Sequence, residues 1–243
     1  MELSLDAKGE HLRWTLYKGG SQPAMPTPPP ELVFTFCRFA DDDVSPKRIL
    51  EFAQRWGVLG PTTARRFGLV TAPAGKRGSE PIWLWRRAAA KTVALARLSQ
   101  ELRDGRRGDR ADWAVATEDT AINADDDISM PDRRQQLVDL LDDWLGLANE
   151  RLRIDWTRIN PVVQLEAVGE LTHLIGALAF QLILAITSEK GVAVCMECDM
   201  PYLPTRVPAA GREHFCDDCG KAASWRRSKR RQRADQNAKE KME

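Results

Sequence analysis

The feature that most constrains this chain is a pair of Cys-x-x-Cys motifs near its C-terminus. The first pair is Cys195 and Cys198, and the second is Cys216 and Cys219. Two such pairs separated by roughly 15 to 20 residues are typical of a zinc site, because each pair supplies two thiolates from a tight turn and the spacer folds back to complete a tetrahedron. We predict that these four cysteines bind one Zn2+. They leave zinc no open position for water, so we expect the metal to stabilise the fold and not to catalyse.

Three other uses of these cysteines have to be weighed. Cys-x-x-Cys is also the motif of redox dithiols, but it then normally follows a strand in a βαβ unit, a pattern that this region lacks. Disulfides are typical of secreted proteins, and the first residues contain no secretory signal, so we expect a cytoplasmic location with reduced thiols. His214 could replace one thiolate, although packing beside the site is the simpler role.

The residues around the cysteines predict the shape of the module. Tyr202, Leu203 and Val207 alternate with prolines in the spacer, as in a short irregular hairpin. The second cysteine pair begins a helix-like segment, where unpaired backbone N–H groups favour the negative charge of thiolates. A cysteine turn, a hairpin, and a second cysteine turn that opens a helix indicate a treble-clef-like or ribbon-like zinc module. We place this module at residues 191–243.

The helix that follows the second pair is strongly basic. The sequence from Lys221 to Arg233 contains no acid, although the formal net charge of the whole chain is only +1. Such a run can lie along phosphates and release their counterions, and its tryptophan can stack on a base or support the cysteine turn. The alternative is a solvated tail that frays. The residues that we predict to contact nucleic acid are Lys221, Trp225, Arg226, Arg227, Lys229, Arg230, Arg231 and Arg233.

This order of elements resembles a known bacterial family. A long apolar helix, two Cys-x-x-Cys pairs around a spacer with Pro and Arg, and a basic helix are similar to the C-terminal part of actinobacterial proteins of the CGNR zinc-finger type. Their larger N-terminal part is a domain called ABATE, and they are regarded as candidate stress-related transcription regulators. The resemblance is one of layout, since Cys219-Gly220 is followed here by Lys221-Ala222 and not by Asn-Arg. It implies an ABATE-like N-terminal domain and a DNA-related function.

Residues 1–190 are predicted to form an α-rich α+β domain. The chain has 243 residues, of which 43% are hydrophobic and 29% charged, enough for one sizeable core and a small module. Apolar residues alternate with polar ones on either side of Gly9, which predicts a hairpin. Glu31 to Ala40 has the apolar and aromatic pattern of a further strand. These strands would form a small antiparallel sheet, with Cys37 as a buried and inert thiol.

Capping residues and apolar spacing predict four helices in this domain. They span residues 45–57, 79–103, 129–152 and 170–187. The last is the most apolar, but it is too short for a membrane span, so we expect it in the core. Residues 106–129 are expected to be a long loop or a partly disordered segment, and residues 154–168 to pair with the N-terminal strands.

These observations favour a zinc-binding, nucleic-acid-binding protein that resembles a regulator. Its N-terminal domain would form a homodimer or bind a small-molecule or protein effector, and no membrane would be involved. The alternative is a protein-interaction scaffold in which the zinc module is purely structural. We predict no catalytic residues and no enzymatic activity, because the sequence shows no nucleophile, paired carboxylates or glycine-rich site with the required spacing. A third alternative is an enzyme with its pocket in the N-terminal domain, but no motif supports it.

Overall fold

The computed structural model describes residues 2–15, 29–60, 77–118, 128–146, 150–155, 162–167, 174–208 and 214–220, together with residues 222, 225 and 229. Within these residues the fold combines helices with small antiparallel sheets. The mixed α and β class predicted from the sequence is therefore confirmed. No helix in this described part has both the length and the hydropathy needed to cross a membrane.

The N-terminal sheet has three antiparallel strands. Strands β1 (Glu2–Leu5) and β2 (His11–Thr15) form the predicted hairpin, and β3 (Arg77–Pro81) pairs with the other edge of β2. Gly9 in the turn has a φ of +71°, a conformation that favours glycine. Gly78 lies opposite Trp14, whose ring occupies the place that a Cβ at position 78 would need. The close approach of strand and indole therefore requires a glycine.

Residues 31–40 form helices, so the predicted strand was wrong. Helix α1 (Leu32–Cys37) is followed directly by a 3-10 helix (Arg38–Ala40). All residues of α1 except Thr35 are buried. A short run that is apolar on nearly every side has neither the period of a strand nor that of a surface helix, so its spacing could not decide between them. Cys37 is fully buried as predicted, and burial raises the pKa of its thiol to about 12.

Helix α2 (Pro46–Trp56) confirms the sequence prediction. Proline occupies the first turn, where backbone N–H groups have no partner within the helix. Its lack of an N–H therefore costs no helical hydrogen bond. The helix ends at Gly57, which has a φ of +94°. Its buried residues are Ile49, Phe52, Ala53 and Trp56.

Helix α3 (Ile82–Arg103) is the central element of the described structure. Helices α1 and α2 and strand β3 lie against it, as do the three helices that follow and the two short strands near the cysteines. It begins later than predicted, because Ser79 to Pro81 belong to β3 and pair with β2. Gly105, with a φ of +78°, lies just beyond its end as expected.

Two further helices pack on α3. Helix α4 (Arg110–Thr117) lies in the region predicted to be a loop, and the Asp109 side chain caps it by accepting from the backbone N–H of Ala111 at 2.7 Å. Helix α5 (Met130–Gly146) starts with the predicted cap, in which the Ser129 hydroxyl lies 2.6 Å from Asp132 Oδ2. Helix α4 has only 8 residues, about two turns, which is too short for a periodic pattern to reveal it from the sequence.

The remaining strands of this part correct two predictions. Strands β4 (Glu150–Asp155) and β5 (Val162–Ala167) pair with each other and not with the N-terminal sheet. Leu152, predicted to be helical, therefore lies in β4. Helix α6 (Leu174–Thr187) is the predicted core helix, with Leu174, Ile175, Leu178 and Leu182 fully buried. Residues 170–173, including His173, lie outside the described residues.

The core joins these helices through apolar and aromatic contacts. Phe36, Phe39, Phe52 and Trp85 form a cluster whose neighbouring ring centroids lie 5.0–6.4 Å apart. Burial of large aromatic side chains contributes strongly to stability, and edge-to-face contacts add to it. The cluster connects α1, the 3-10 helix, α2 and α3.

Three charged residues are buried in the described part of the chain, namely Glu80, Lys91 and Arg133. Glu80 accepts hydrogen bonds from the backbone N–H groups of Leu59 and Gly60 and from Trp85 Nε1, at 2.7–3.2 Å. Lys91 donates to Glu118 at 3.0 Å and lies 5.3 Å from the centre of the Trp144 ring. Nothing in the local sequence distinguishes Glu80 and Lys91 from surface charges, so the sequence did not predict their burial.

Candidate metal centre

The first cysteine pair lies in a tight turn between two short strands. Strands β6 (Ala193–Val194) and β7 (Pro201–Tyr202) are antiparallel, and the chain between them reverses over Cys195 to Met200. The N–H of Cys195 donates to Met200 O at 3.0 Å, and the N–H of Asp199 donates to Cys195 O at 2.8 Å. Asp199 has a φ of +58°, a left-handed conformation that Asp tolerates better than most residues. This turn directs Cys195 and Cys198 towards the same point.

The second cysteine pair lies at the start of a helix. Residues 217–220 are helical, and the N–H of Gly220 donates to Cys216 O at 2.7 Å. Residues 222, 225 and 229 are helical too, so the predicted helix after the second pair is present in the described residues. The N–H of Met196 donates to His214 O at 2.9 Å and joins the two cysteine turns.

The four cysteine sulfurs converge. Their Sγ atoms all lie within 4.8 Å of one another, and those of Cys198 and Cys216 are 3.9 Å apart. In a tetrahedral zinc site with bonds of about 2.3 Å, sulfurs lie about 3.8 Å apart. Cys195 and Cys216 are buried, whereas Cys198 is exposed. The sulfurs are thus close to the arrangement that a tetrahedral metal ion requires, and the cluster could hold one.

The electrostatics of the cluster favour a cation. Burial raises the pKa of Cys195, but backbone N–H groups of Cys198, Cys216 and Glu197 lower it more, to about 7. Burial and the neighbouring cysteines raise the pKa of Cys219 far above its usual value. One thiolate therefore forms readily, while its neighbours resist a second negative charge. A bound metal ion would remove this penalty, because its charge stabilises the thiolates that coordinate it.

Neither His214 nor Cys37 belongs to the cysteine cluster. His214 contributes its backbone carbonyl to the link between the turns, and the cluster that could hold a metal ion in the described residues contains no histidine. All five cysteines of the chain are described, and each is a free thiol. Cys37 is buried in α1 and does not belong to the cluster.

Only part of the predicted nucleic-acid surface lies in the described structure. Trp225 is 61% exposed, and the Lys229 ammonium lies 3.9 Å from the centre of its ring. Lys229 is also exposed. The other predicted contacts lie outside the described residues: Lys221, Arg226, Arg227, Arg230, Arg231 and Arg233.

The sequence did not predict the residues of α3 that contact the cysteine module. Arg97 donates to the backbone carbonyl of Asp199, and Gln100 accepts from the N–H of Val194. Their positions in a helical pattern marked them only as polar residues between apolar ones. Their partners lie about a hundred residues further along the chain, at a distance where spacing carries no signal.

Comparisons of the chain with protein-family models, with curated proteins and with solved structures give no match. The resemblance to proteins of the CGNR zinc-finger type therefore stays a prediction. It rests on the order of the cysteine pairs and the basic helix.

Proposed function

We propose that this protein binds one structural Zn2+ through Cys195, Cys198, Cys216 and Cys219 and uses the basic helix beyond the site to bind nucleic acid. The observation that carries the proposal is the convergence of the four sulfurs within 4.8 Å. Soft thiolate ligands in a tetrahedral set favour zinc among the common biological divalent ions. A closed site of this kind stabilises a small module that lacks a large core of its own.

The local order of elements supports a treble-clef-like module. The first pair lies in a turn between β6 and β7, and the second pair stands in the first turn of a helix. In that position the helix N-terminus favours the negative charge of the thiolates. The metal would then hold the start of the basic helix against the first cysteine turn.

The proposed partner is the phosphate backbone of nucleic acid. The run from Lys221 to Arg233 has seven Lys or Arg residues and no acid. Trp225 is exposed beside Lys229, an arrangement that offers a stacking surface and a cation to a nucleotide. Contacts to phosphates carry no sequence information, so we expect binding without base specificity from this helix alone.

The family resemblance extends the proposal to regulation. The same layout in CGNR-type proteins supports a regulator-like role, in which the domain at residues 1–190 responds to an effector or dimerises. Under this proposal the metal module would be the nucleic-acid-binding part and the helical domain the regulatory part.

Metal analysis tests the zinc site. Purified protein should contain one zinc per chain, and replacing Cys219 by Ser should reduce that content to a small fraction. Cys37→Ala is the matched control, because Cys37 is a cysteine outside the cluster, and it should leave the zinc content unchanged. Zinc-free wild-type protein with a normally folded module would contradict the site.

Salt-dependent binding tests the nucleic-acid role. Fluorescence anisotropy with duplex DNA, single-stranded DNA and RNA should show affinity that falls steeply with salt. Each phosphate contact adds about 0.9 to the steepness with which the logarithm of the binding constant falls with the logarithm of the salt concentration on duplex DNA. Removing four arginines should therefore reduce this slope by up to about three to four. The variant replaces by Ala the residues Arg226, Arg227, Arg230 and Arg231.

A matched variant tests whether binding depends on the basic helix itself or only on the total charge of the protein. It removes four exposed basic residues of α2 and α4, namely Lys47, Arg48, Arg55 and Arg110. Both variants have the same net charge, but only the first should show a flatter salt dependence, with its zinc content intact. Equal effects of the two variants would indicate charge alone. Absence of affinity at low salt would favour the scaffold, for which Met196 and Val207 offer exposed apolar contacts on the same module.

A further inference from the structure

One row of polar residues on α3 faces the cysteine module. Arg97, Gln100 and Arg103 follow each other at intervals of three residues, so they lie along one side of the helix. Each donates to or accepts from the backbone of the segment between Ile186 and Asp199. The row therefore holds the chain that leads into the first cysteine turn and part of that turn.

Arg97 binds the turn itself. Its guanidinium donates to the backbone carbonyl of Asp199 at 2.6 Å and also to the Asp199 carboxylate. The other terminal nitrogen of the same guanidinium lies 3.5 Å from the carboxylate of Asp112 in α4. Asp199 directly follows Cys198 and holds the left-handed conformation that closes the turn. Arg97 thus connects the core helices to the residue that fixes the direction of Cys198.

Gln100 binds the strand before the turn. Its Oε1 accepts from the N–H of Val194 at 2.7 Å, directly before Cys195. Ala193 is fully buried and Val192 nearly so, and β6 contacts α3 along this stretch. Cys195 therefore directly follows a strand, β6, that α3 holds in place.

Arg103 completes the row. Its guanidinium donates to Ile186 O at 2.9 Å and to Ser188 O at 3.0 Å, and so satisfies carbonyls at the end of α6. Gly191 has a φ of +66°, and a Cβ there would overlap the Arg103 guanidinium. The chain passes from α6 to β6 across this side chain.

We propose that Arg97 and Gln100 are positioning residues of the metal site, so that the helical part of the chain sets the metal affinity of the cysteine module. The inference rests on the metal site proposed above. Its physical basis is pre-organisation: a turn held by α3 needs less ordering when the metal binds than a free turn does. By linkage, metal binding must stabilise the α3 contacts to the same extent.

The test is a metal-affinity series on the full chain, with chelator competition for Zn2+ and optical titration with Co2+. Arg97→Met keeps the length of the side chain and removes its donors, and it should weaken binding about tenfold. Arg97→Lys retains one cation and should recover part of the loss. Asp199→Asn tolerates the left-handed conformation and should cost only a few-fold, because this carboxylate is mostly exposed.

Gln100 gives a second pair of variants, which differ in whether the side chain can accept the hydrogen bond from Val194 N–H. Gln100→Leu removes the acceptor for Val194 N–H and should weaken metal binding, whereas Gln100→Glu retains an acceptor oxygen and should bind nearly as well as wild type. At saturating Co2+ all variants should give the same thiolate spectrum, since the four ligands are unchanged. If Arg97→Met does not fold, the Gln100 pair decides.

Two controls separate positioning from general stability. Arg106→Ala removes an arginine that pairs with Glu101 and Asp104 just beyond α3, and should leave affinity unchanged. Gly78→Ala destabilises the distant N-terminal sheet and should lower the melting temperature without changing metal affinity. Affinities of Arg97→Met and Gln100→Leu within about twofold of wild type, or an equal loss in Gly78→Ala, overturn the inference. Wild-type protein that binds neither ion overturns the metal site as well.

Discussion

The buried carboxylate of Glu80 makes a specific prediction about pH. The side chain is fully buried between β3, α3 and the chain at Leu59 and Gly60. Burial raises its pKa from 4.5 to about 7, against the three N–H donors, which lower it. The folded protein therefore holds the proton to higher pH than the unfolded chain does.

The sign and size of the effect follow from this difference. Below pH 4.5 both states are protonated, and as the pH rises towards 7 only the unfolded state releases its proton. The free energy of unfolding must fall through this window and level off above it. A pKa difference of about 2.5, at about 1.4 kcal/mol for each pH unit, corresponds to about 3 kcal/mol.

Glu80→Gln removes the titration and keeps the shape of the side chain. Both oxygens of Glu80 accept from N–H groups, so the NH2 group of Gln would face a donor and lose a hydrogen bond. We therefore expect the free energy of unfolding to be lower by about 1–3 kcal/mol at pH 4.5. This deficit should shrink by about 3 kcal/mol by pH 8, where the variant should equal or exceed wild type in stability. Urea denaturation at a series of pH values measures the difference, and loss of metal at low pH affects both proteins alike.

The control is Glu51→Gln on the exposed side of α2, whose difference from wild type should stay near zero at every pH. A Glu80→Gln difference that is independent of pH would refute the role of burial. A deficit that grows with pH would mean that the three donors hold the carboxylate ionised in the folded state.

Three further predictions test the packing, the caps and the division of the chain. Gly78→Ala places a Cβ 2.1 Å from the Trp14 ring and should cost about 1–3 kcal/mol in thermal unfolding, whereas Gly146→Ala meets no atom within 4 Å and should be close to neutral. Asp109→Ala removes the cap of α4 and should cost about 1 kcal/mol, whereas Asp109→Asn retains an acceptor and should cost much less. Chelation of the metal should unfold the module at 191–243 while most of the helical circular dichroism signal persists; a single cooperative loss of that signal would contradict this division.

The local features of the sequence predicted the elements whose signals are local. The spacing of four cysteines predicted their convergence, because each pair forms a tight turn whatever surrounds it. Caps and glycines gave the ends of α2 and the start of α5. The β1–β2 hairpin followed from alternation around Gly9.

For residues 32–37 and 79–81, where the sequence prediction was wrong, the deciding contacts are long-range. Residues 32–37 are helical because the core surrounds them on nearly every side, and burial on all sides removes the alternation that distinguishes a strand. Ser79 to Pro81 extend as a strand because β2 offers an open edge, although the same residues would make an adequate helix cap. Strand β4 pairs with its neighbour β5, a choice that depends on register and not on the composition of either strand.

The sequence by itself determined that four thiols form one cluster and that a basic, acid-free run follows it. Only the tertiary structure decided how the cluster is held, since Arg97 contacts the first cysteine turn and Gln100 the strand before it, both from α3, which packs against this segment. The physical reason is the range of each interaction. A cysteine turn is closed by hydrogen bonds within a few residues, whereas the partner of a helix-surface arginine is whatever the folded chain brings against it.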